Sequence, residues 1–432
     1  MNSRRSLSGA REGVFLGFAA TATAACSLPT QILFERSLGV QGFAQWSYLN
    51  SICSILIGVA CLGASNLILS EFFRGRLETK TGLVRLMAYF GLSSFLAFFG
   101  FFGLYAWILL TEKPLFTGMP LELVVFLAQI PIVLIYPVFQ IRGWIAQVAL
   151  WPLLQNLARL LVAITAAVAA LGYTSAVALW TIASLLLAGW AIRMAWRPIY
   201  SRVNSLAQTE VRSALQYGGL FGVVQSGLGF GATEVLDSLD LKLVVVLAGF
   251  FFGAHEISAA TLAMLLVFAV YFFPYVLVMR LLLPIVHRYW DNEAHLLFKM
   301  IERICLYAVA FLLPVSIAMY FFGHSALALL VKGDYSSQEG VFKAVATVII
   351  PLCLSTVGAA PFMSKRENLR LLRWRLESLA LFIVFVLAFV RYLNLAALFW
   401  GLTANRTYLC IRFFWTLAQL RKTNALSTPR QT

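Results

Sequence analysis

Arg159 sits between the runs LLQNLA and LLVAITAA, with no acidic or second basic residue nearby. If such a run crosses a bilayer, a charged side chain in it costs at least about 2.5–3.5 kcal/mol, so its presence asks for a partner or a task. A planar guanidinium can grip a phosphate or pyrophosphate through two parallel hydrogen bonds. It can equally pair across helices with a carboxylate such as Glu234 or Asp237. Those two acids belong to the densest polar cluster of any apolar stretch, EVLDSLDLK, which holds Glu234, Asp237, Asp240 and Lys242. Steps of three place the acids along one shoulder of a helix, with Lys242 far round from Asp240. Crowded carboxylates in a low dielectric favour uptake of a proton or a sodium ion, and Lys242 could attract an anionic group. A cluster at a solvated interface would need no such role. Arg36, beside Glu35, ends the first apolar run, where it could touch cargo or simply snorkel. Arg406 falls near the middle of the last run. The candidate substrate-binding residues are thus Arg159, Arg36, Lys242 and Arg406, and the candidate ion-coupling residues are Glu234, Asp237 and Asp240.

Enzymatic constellations are not found. His255, His287, His295 and His324 are scattered, and the sequence has no HExxH, no GxSxG and no glycine-rich phosphate loop beside a strand. Cys26, Cys53, Cys61, Cys305, Cys353 and Cys410 all fall inside apolar runs without a CxxC pair, as small packing residues do. No catalytic residue, metal or cofactor is expected.

The elements that must position these residues follow from composition. Of 432 residues 61% are hydrophobic and 12% charged, against about 45–50% and about 25% in soluble domains. A bilayer accommodates that balance and admits only helices or closed barrels. Unbroken apolar runs such as 55–62 and 379–390 argue for helices, since barrel strands alternate. The spans are read at 14–33, 44–72, 83–110, 121–141, 147–171, 175–192, 225–250, 258–282, 301–322, 341–363, 376–392 and 395–420. Arg159 is then ~16 Å into the fifth at about 1.5 Å per residue. The polar start of the chain lacks a small-residue cleavage site, so 14–33 reads as a retained first span rather than a signal peptide.

The net charge of +15 is a matter of topology. Most Lys and Arg residues fall in alternate connecting segments, for example Arg4, Arg5 and Arg11, then Arg74, Arg76 and Lys80, then Arg370, Arg373 and Arg375. Cytoplasmic loops carry that excess, which places both termini in the cytoplasm with an even span count and makes a nucleic-acid partner unnecessary. The segment 193–216 is the longest polar stretch. It divides the chain into a six-helix lobe (1–192), a cytoplasmic linker (193–217) and a second six-helix lobe (218–432). LFERSLGVQGFAQWSY and VVLAGFFFGAHEISAA, about 210 residues apart, share a faint glycine-marked pattern, as parallel repeats in transporters do. Pro29, Pro131, Pro137, Pro274, Pro314 and Pro351 interrupt apolar runs and could be hinges or static kinks.

Three stretches resemble the polysaccharide and O-antigen flippases of the multidrug/oligosaccharidyl-lipid/polysaccharide exporter superfamily. ERSLGVQGFAQWSYLNSI resembles the family's Arg-x-Leu-Gly-x-x-x-Phe turn, although Ala44 and Gln45 follow Phe43 where the family has glycine. LDLKLVVVLAGFFFGAHEISAA resembles its seventh-helix Asp with a glycine-marked turn, and LLVKGDYSSQEGVFKAVATVIIPL resembles its Gly-x-x-Tyr entry to the tenth helix. The resemblance implies an all-α polytopic membrane protein, with about twelve transmembrane helices in two six-helix lobes around a central cavity. It further implies a flippase of the cell inner membrane that moves a lipid-linked oligosaccharide, carried on polyprenyl pyrophosphate, by alternating access. A proton, a sodium ion or the membrane potential would drive the cycle. A drug exporter of the same superfamily is a rival reading; it would prefer an acidic cavity for cationic cargo, and Arg159 near the midplane leans against it. A membrane glycan polymerase or ligase is a third reading, but the longest outer loop read from the sequence, 323–340, is short for one.

Overall fold

The computed structural model describes residues 2–61, 95, 98–103, 119–141, 144–203, 232, 235–236, 239–277, 294–364 and 368–427. Among them there is no β-strand. The helices are α1 (Asn2–Cys61), α2 (Met119–Ile141), α3 (Ile145–Val168), α4 (Tyr173–Val203), α5 (239–251), α6 (Ala254–Leu277), α7 (Ala294–Leu330), α8 (Glu339–Ser364), α9 (Asn368–Leu393) and α10 (Ala396–Ser427). Seven helical segments among the described residues are long and apolar enough to cross a membrane. The chain is a multi-pass membrane protein.

Unbroken helices suit an apolar solvent because each satisfies its own backbone. Hydroxyls within them do the same locally: Thr23 Oγ1 donates to Ala19 O and Thr30 Oγ1 to Cys26 O, both at 2.7 Å. α1 is two helical limbs that meet at Gly39, whose φ of 67° and ψ of 177° are open to glycine alone. The turn expected at LGVQGF is therefore real, and it consumes a single residue. The rings of Phe34 before it and Trp46 after it pack together, tilted by 35° with centroids 4.4 Å apart, and brace the two limbs. From Gly42 to Leu49 every residue is buried, so the second limb enters the interior all round.

α3 and α4 are joined at 169–172, where Ala170 adopts a positive φ. A positive φ at Asn394 turns α9 directly into α10. Connections this short make the joined helices antiparallel neighbours. The helices run on through Pro29, Pro152, Pro314 and Pro351. α4 also extends to Val203, so the first part of the stretch read as a linker is helical, while 204–217 lies outside the described residues.

The chain divides into two compact units, one of Phe18–Val246 and one of Met1–Gly17 with Leu247–Thr432. In the first, α2 packs on α4, and α3 packs on both. Trp151 Nε1 ties α3 to α2 through the carbonyl of Ile132 at 2.9 Å. In the second, α8 is the hub, packing on α6, α7 and α10. Phe362, Trp374 and Phe413 interlock there, with Gly358 leaving room for the Phe413 ring. Polar pairs cross these apolar contacts: Tyr271 with Thr356 at 2.6 Å, Thr347 with Thr403 at 2.9 Å, and Asn405 Nδ2 donating to Ser378 O at 3.0 Å. Such hydrogen bonds hold membrane helices in register, because lipid competes for none of them.

α7 continues to Leu330, so the connection read as 323–340 reduces to 331–335 and a 3₁₀ turn at Ser336–Gln338. Gly333 lies so close to the Tyr335 ring that a Cβ would stand 2.6 Å from it. The His255 ring stacks on Tyr335 at 5.0 Å, and its Nε2 is 2.8 Å from the carbonyl of Asp334. Two of the motifs singled out in the sequence, GAHEISAA and KGDYSS, thus meet.

Candidate functional site

Five ionisable groups of the first unit, one from each of five helices, are linked electrostatically. Arg159 is on α3, Glu122 in the first turn of α2, Tyr173 at the start of α4, Cys53 on the second limb of α1 and Lys242 on α5. Arg159 is half-buried, with its Nε fully shielded and unbonded among the described residues. Its guanidinium lies over the buried Trp180 ring of α4, 4.8 Å from the centroid. Glu122 is only 3% exposed and is the carboxylate whose charge acts on Arg159; Tyr173 and Cys53 also feel its field. Lys242 in turn feels Arg159.

Opposite charges interact strongly when water is excluded, so Glu122 offsets much of the cost of burying Arg159. The aromatic face adds a cation–π contribution. The arrangement is a shielded guanidinium with spare donors, a second cation near it and one carboxylate to balance them. It can take an anion on the spare donors of Arg159, or a proton on Glu122.

Of the residues expected from sequence, Arg159 and Lys242 come together in this cluster. Asp240 is buried two residues before Lys242 on α5. Glu234 and Asp237 lie outside the described residues. Arg36 is exposed on α1, three residues before the Gly39 turn, while its neighbour Glu35 is fully buried. Arg406 is buried on α10 and belongs to the other unit, where Cys410 feels its charge.

Sequence reasoning misses Glu122, because it looks for the carboxylate facing Arg159 at Glu234 or Asp237. A signal is present: Glu122 is the sole charged residue of 121–141. At the margin of that run, it reads as an interfacial acid.

No family model matches the sequence, and no curated protein does. Solved structures do share its fold. An inward-facing multidrug resistance MATE family transporter of the MOP superfamily matches with a TM-score of 0.59 and 13% identity, covering 93% of this chain and 96% of that one. A mutant of a Vibrio cholerae MATE transporter matches with a TM-score of 0.63 and 14% identity, covering 96% and 98%. A MATE structure in a bent conformation matches at 0.60 and 13%, covering 96% of each chain. The likeness runs from end to end, and the all-α fold, of the twelve-helix two-lobe kind, is that of the MATE transporters.

Proposed function

We propose that this chain is a membrane transporter that exports amphipathic organic molecules by alternating access, without catalysing a reaction. The observation that carries the reading is the end-to-end fold likeness to multidrug transporters, with more than nine-tenths of each chain covered. The charge balance around Arg159 supports it. Glu122 supplies a countercharge, so the guanidinium need not await an anionic cargo. Binding between lobes and release by rocking one against the other is the way such folds move solutes. Glu122, together with Asp240, Glu234 and Asp237, supplies carboxylates on which a coupling proton or sodium ion could ride.

The flippase reading stands second. It is favoured by Lys242 and Arg159 acting on one another in a single cluster, since two cations in a low dielectric attract a doubly charged group such as a pyrophosphate. In that reading Arg36 and Arg406 serve the same lipid-linked oligosaccharide, and the inner membrane is the site of action.

The test is expression in cells stripped of their own efflux pumps, with drug tolerance, dye accumulation and surface glycan measured together. The exporter reading expects raised tolerance to at least one amphipathic compound and lowered dye accumulation. Unchanged tolerance and accumulation, with surface glycan lost when the protein is deleted from its native cells, would reverse the order of the two readings.

A further inference from the structure

A charged network lies on an otherwise apolar outer face of α9 and α10. Arg373 Nε donates to Glu377 Oε1 at 2.8 Å, and Arg412 Nη2 donates to Glu377 Oε2 at 3.2 Å. Tyr408 donates its hydroxyl proton to the same Oε2, while Arg412 Nε donates to the Tyr408 oxygen at 2.8 Å. Two guanidiniums are thereby held side by side on one carboxylate. Among the described residues Arg373 uses only its Nε, and the Nη1 of Arg412 is unengaged, so donors are left over on both. The side chains of Arg373 and Arg412 are 77% and 45% exposed, so those donors face outward.

The surroundings are greasy. Leu376, three residues from Arg373, is half-exposed, and Ile411 and Trp415, which flank Arg412, are each more than 60% exposed. Residues three or four apart share a helix face, so these apolar groups border the network on both helices. The depth is also defined. Glu377 and Arg412 each stand seventeen residues from the turn at Asn394–Leu395. That is about 25 Å of helix, close to the ~30 Å thickness of a bilayer's hydrocarbon core. If the turn is at one surface of the membrane, the network is at the opposite interface, where Trp415 and Tyr408 also fit an aromatic belt.

We infer that the Arg373–Glu377–Arg412 network binds the phosphate of an anionic phospholipid whose acyl chains lie along Leu376, Ile411 and Trp415. Two Arg and one Glu leave a net positive charge, and Arg370, stacked over Trp374 at 5.1 Å, adds another one turn away. The left-over guanidinium donors match phosphate oxygens. Glu377 positions both Arg side chains and relieves their mutual repulsion. The apolar border selects a lipid over a soluble phosphate, and basic pockets between helices at an interface bind such headgroups.

The full chain in neutral detergent is titrated with phosphatidylglycerol, phosphatidylcholine or free glycerophosphate, following thermal unfolding and lipid retention by native mass spectrometry. Phosphatidylglycerol should raise Tm and be retained, the other two should do neither, and Arg373→Gln should weaken retention about tenfold. The Arg373→Gln/Arg412→Gln variant should abolish it. Arg373→Gln leaves Glu377 bonded to Tyr408 and Arg412, so the single variant decides the matter if the double one does not fold. Equal retention by wild type and Arg373→Gln would overturn the assignment, as would phosphatidylcholine or glycerophosphate acting as strongly as phosphatidylglycerol.

Discussion

The guanidinium of Arg159 stands 4.8 Å from the centre of the Trp180 ring, one helix away, with its Nε shielded from solvent. The ring face and the Glu122 carboxylate are what make this charge tolerable in an apolar helix. Removing the carboxylate's counterpart alone should therefore be costly. We expect Arg159→Met to destabilise the protein by about 1–3 kcal/mol, because Glu122 is left buried without its countercharge and must take up a proton. Arg159→Met/Glu122→Gln should recover most of that loss. Abundance and thermal stability of the wild type, Arg159→Met, Glu122→Gln and the double variant give the coupling directly, and an uncoupled pair would remove Glu122 from its role. If Arg159 also contacts cargo, transport in Arg159→Lys falls while abundance holds, because Lys keeps the charge and loses the planar fork.

Two glycines should fail for different reasons. Gly39→Ala meets no atom within 4 Å, so its cost is backbone strain alone, roughly 1–3 kcal/mol. Gly333→Ala would drive a methyl group into the Tyr335 ring. Shrinking Tyr335 to Leu should rescue Gly333→Ala partly and leave Gly39→Ala unaffected. Thermal unfolding of the single and double variants distinguishes the two.

Asp334, in the connection between α7 and α8, accepts the backbone N–H of Ser336 at 3.0 Å, with further help from the Ser336 hydroxyl, His255 and His324. These hold its carboxyl below the usual 3.8. A depressed carboxylate stabilises the fold above its unfolded pKa, and that contribution fades as pH falls through 3.8 towards the folded value. Asp334→Asn should lower stability near neutral pH, where this contribution is fully present, and flatten the acid-side loss, so that the two proteins converge at low pH. Tm followed from neutral pH down through about pH 3 checks it; parallel curves for the two proteins would refute it.

Reporter fusions test the topology. Those placed after Arg212 and after Leu420 should both read cytoplasmic, and one after Lys332 should read external. The expectation comes from the alternation of basic segments, and any of the three readings reversed would sink it.

Much of this is legible in the sequence, for identifiable reasons. Composition forces a membrane, and unbroken apolar runs within it force helices rather than barrel strands. The LGVQGF turn and the KGDYSS connection can be seen because glycine and its neighbours mark local backbone needs that no distant residue can change. Arg159 stands out because a charge in an apolar run is anomalous wherever the run folds. What faces Arg159 cannot be read the same way. Helices that are apolar all round carry no amphipathic stripe to reveal which side meets which neighbour. The rotation and depth of α2, α4 and α5 are settled only when they pack, and a shift of one residue turns a helix by about 100°. Glu122 on α2 and Trp180 on α4 share no local pattern with Arg159 on α3, so packing alone brings the countercharge and the ring face to the guanidinium.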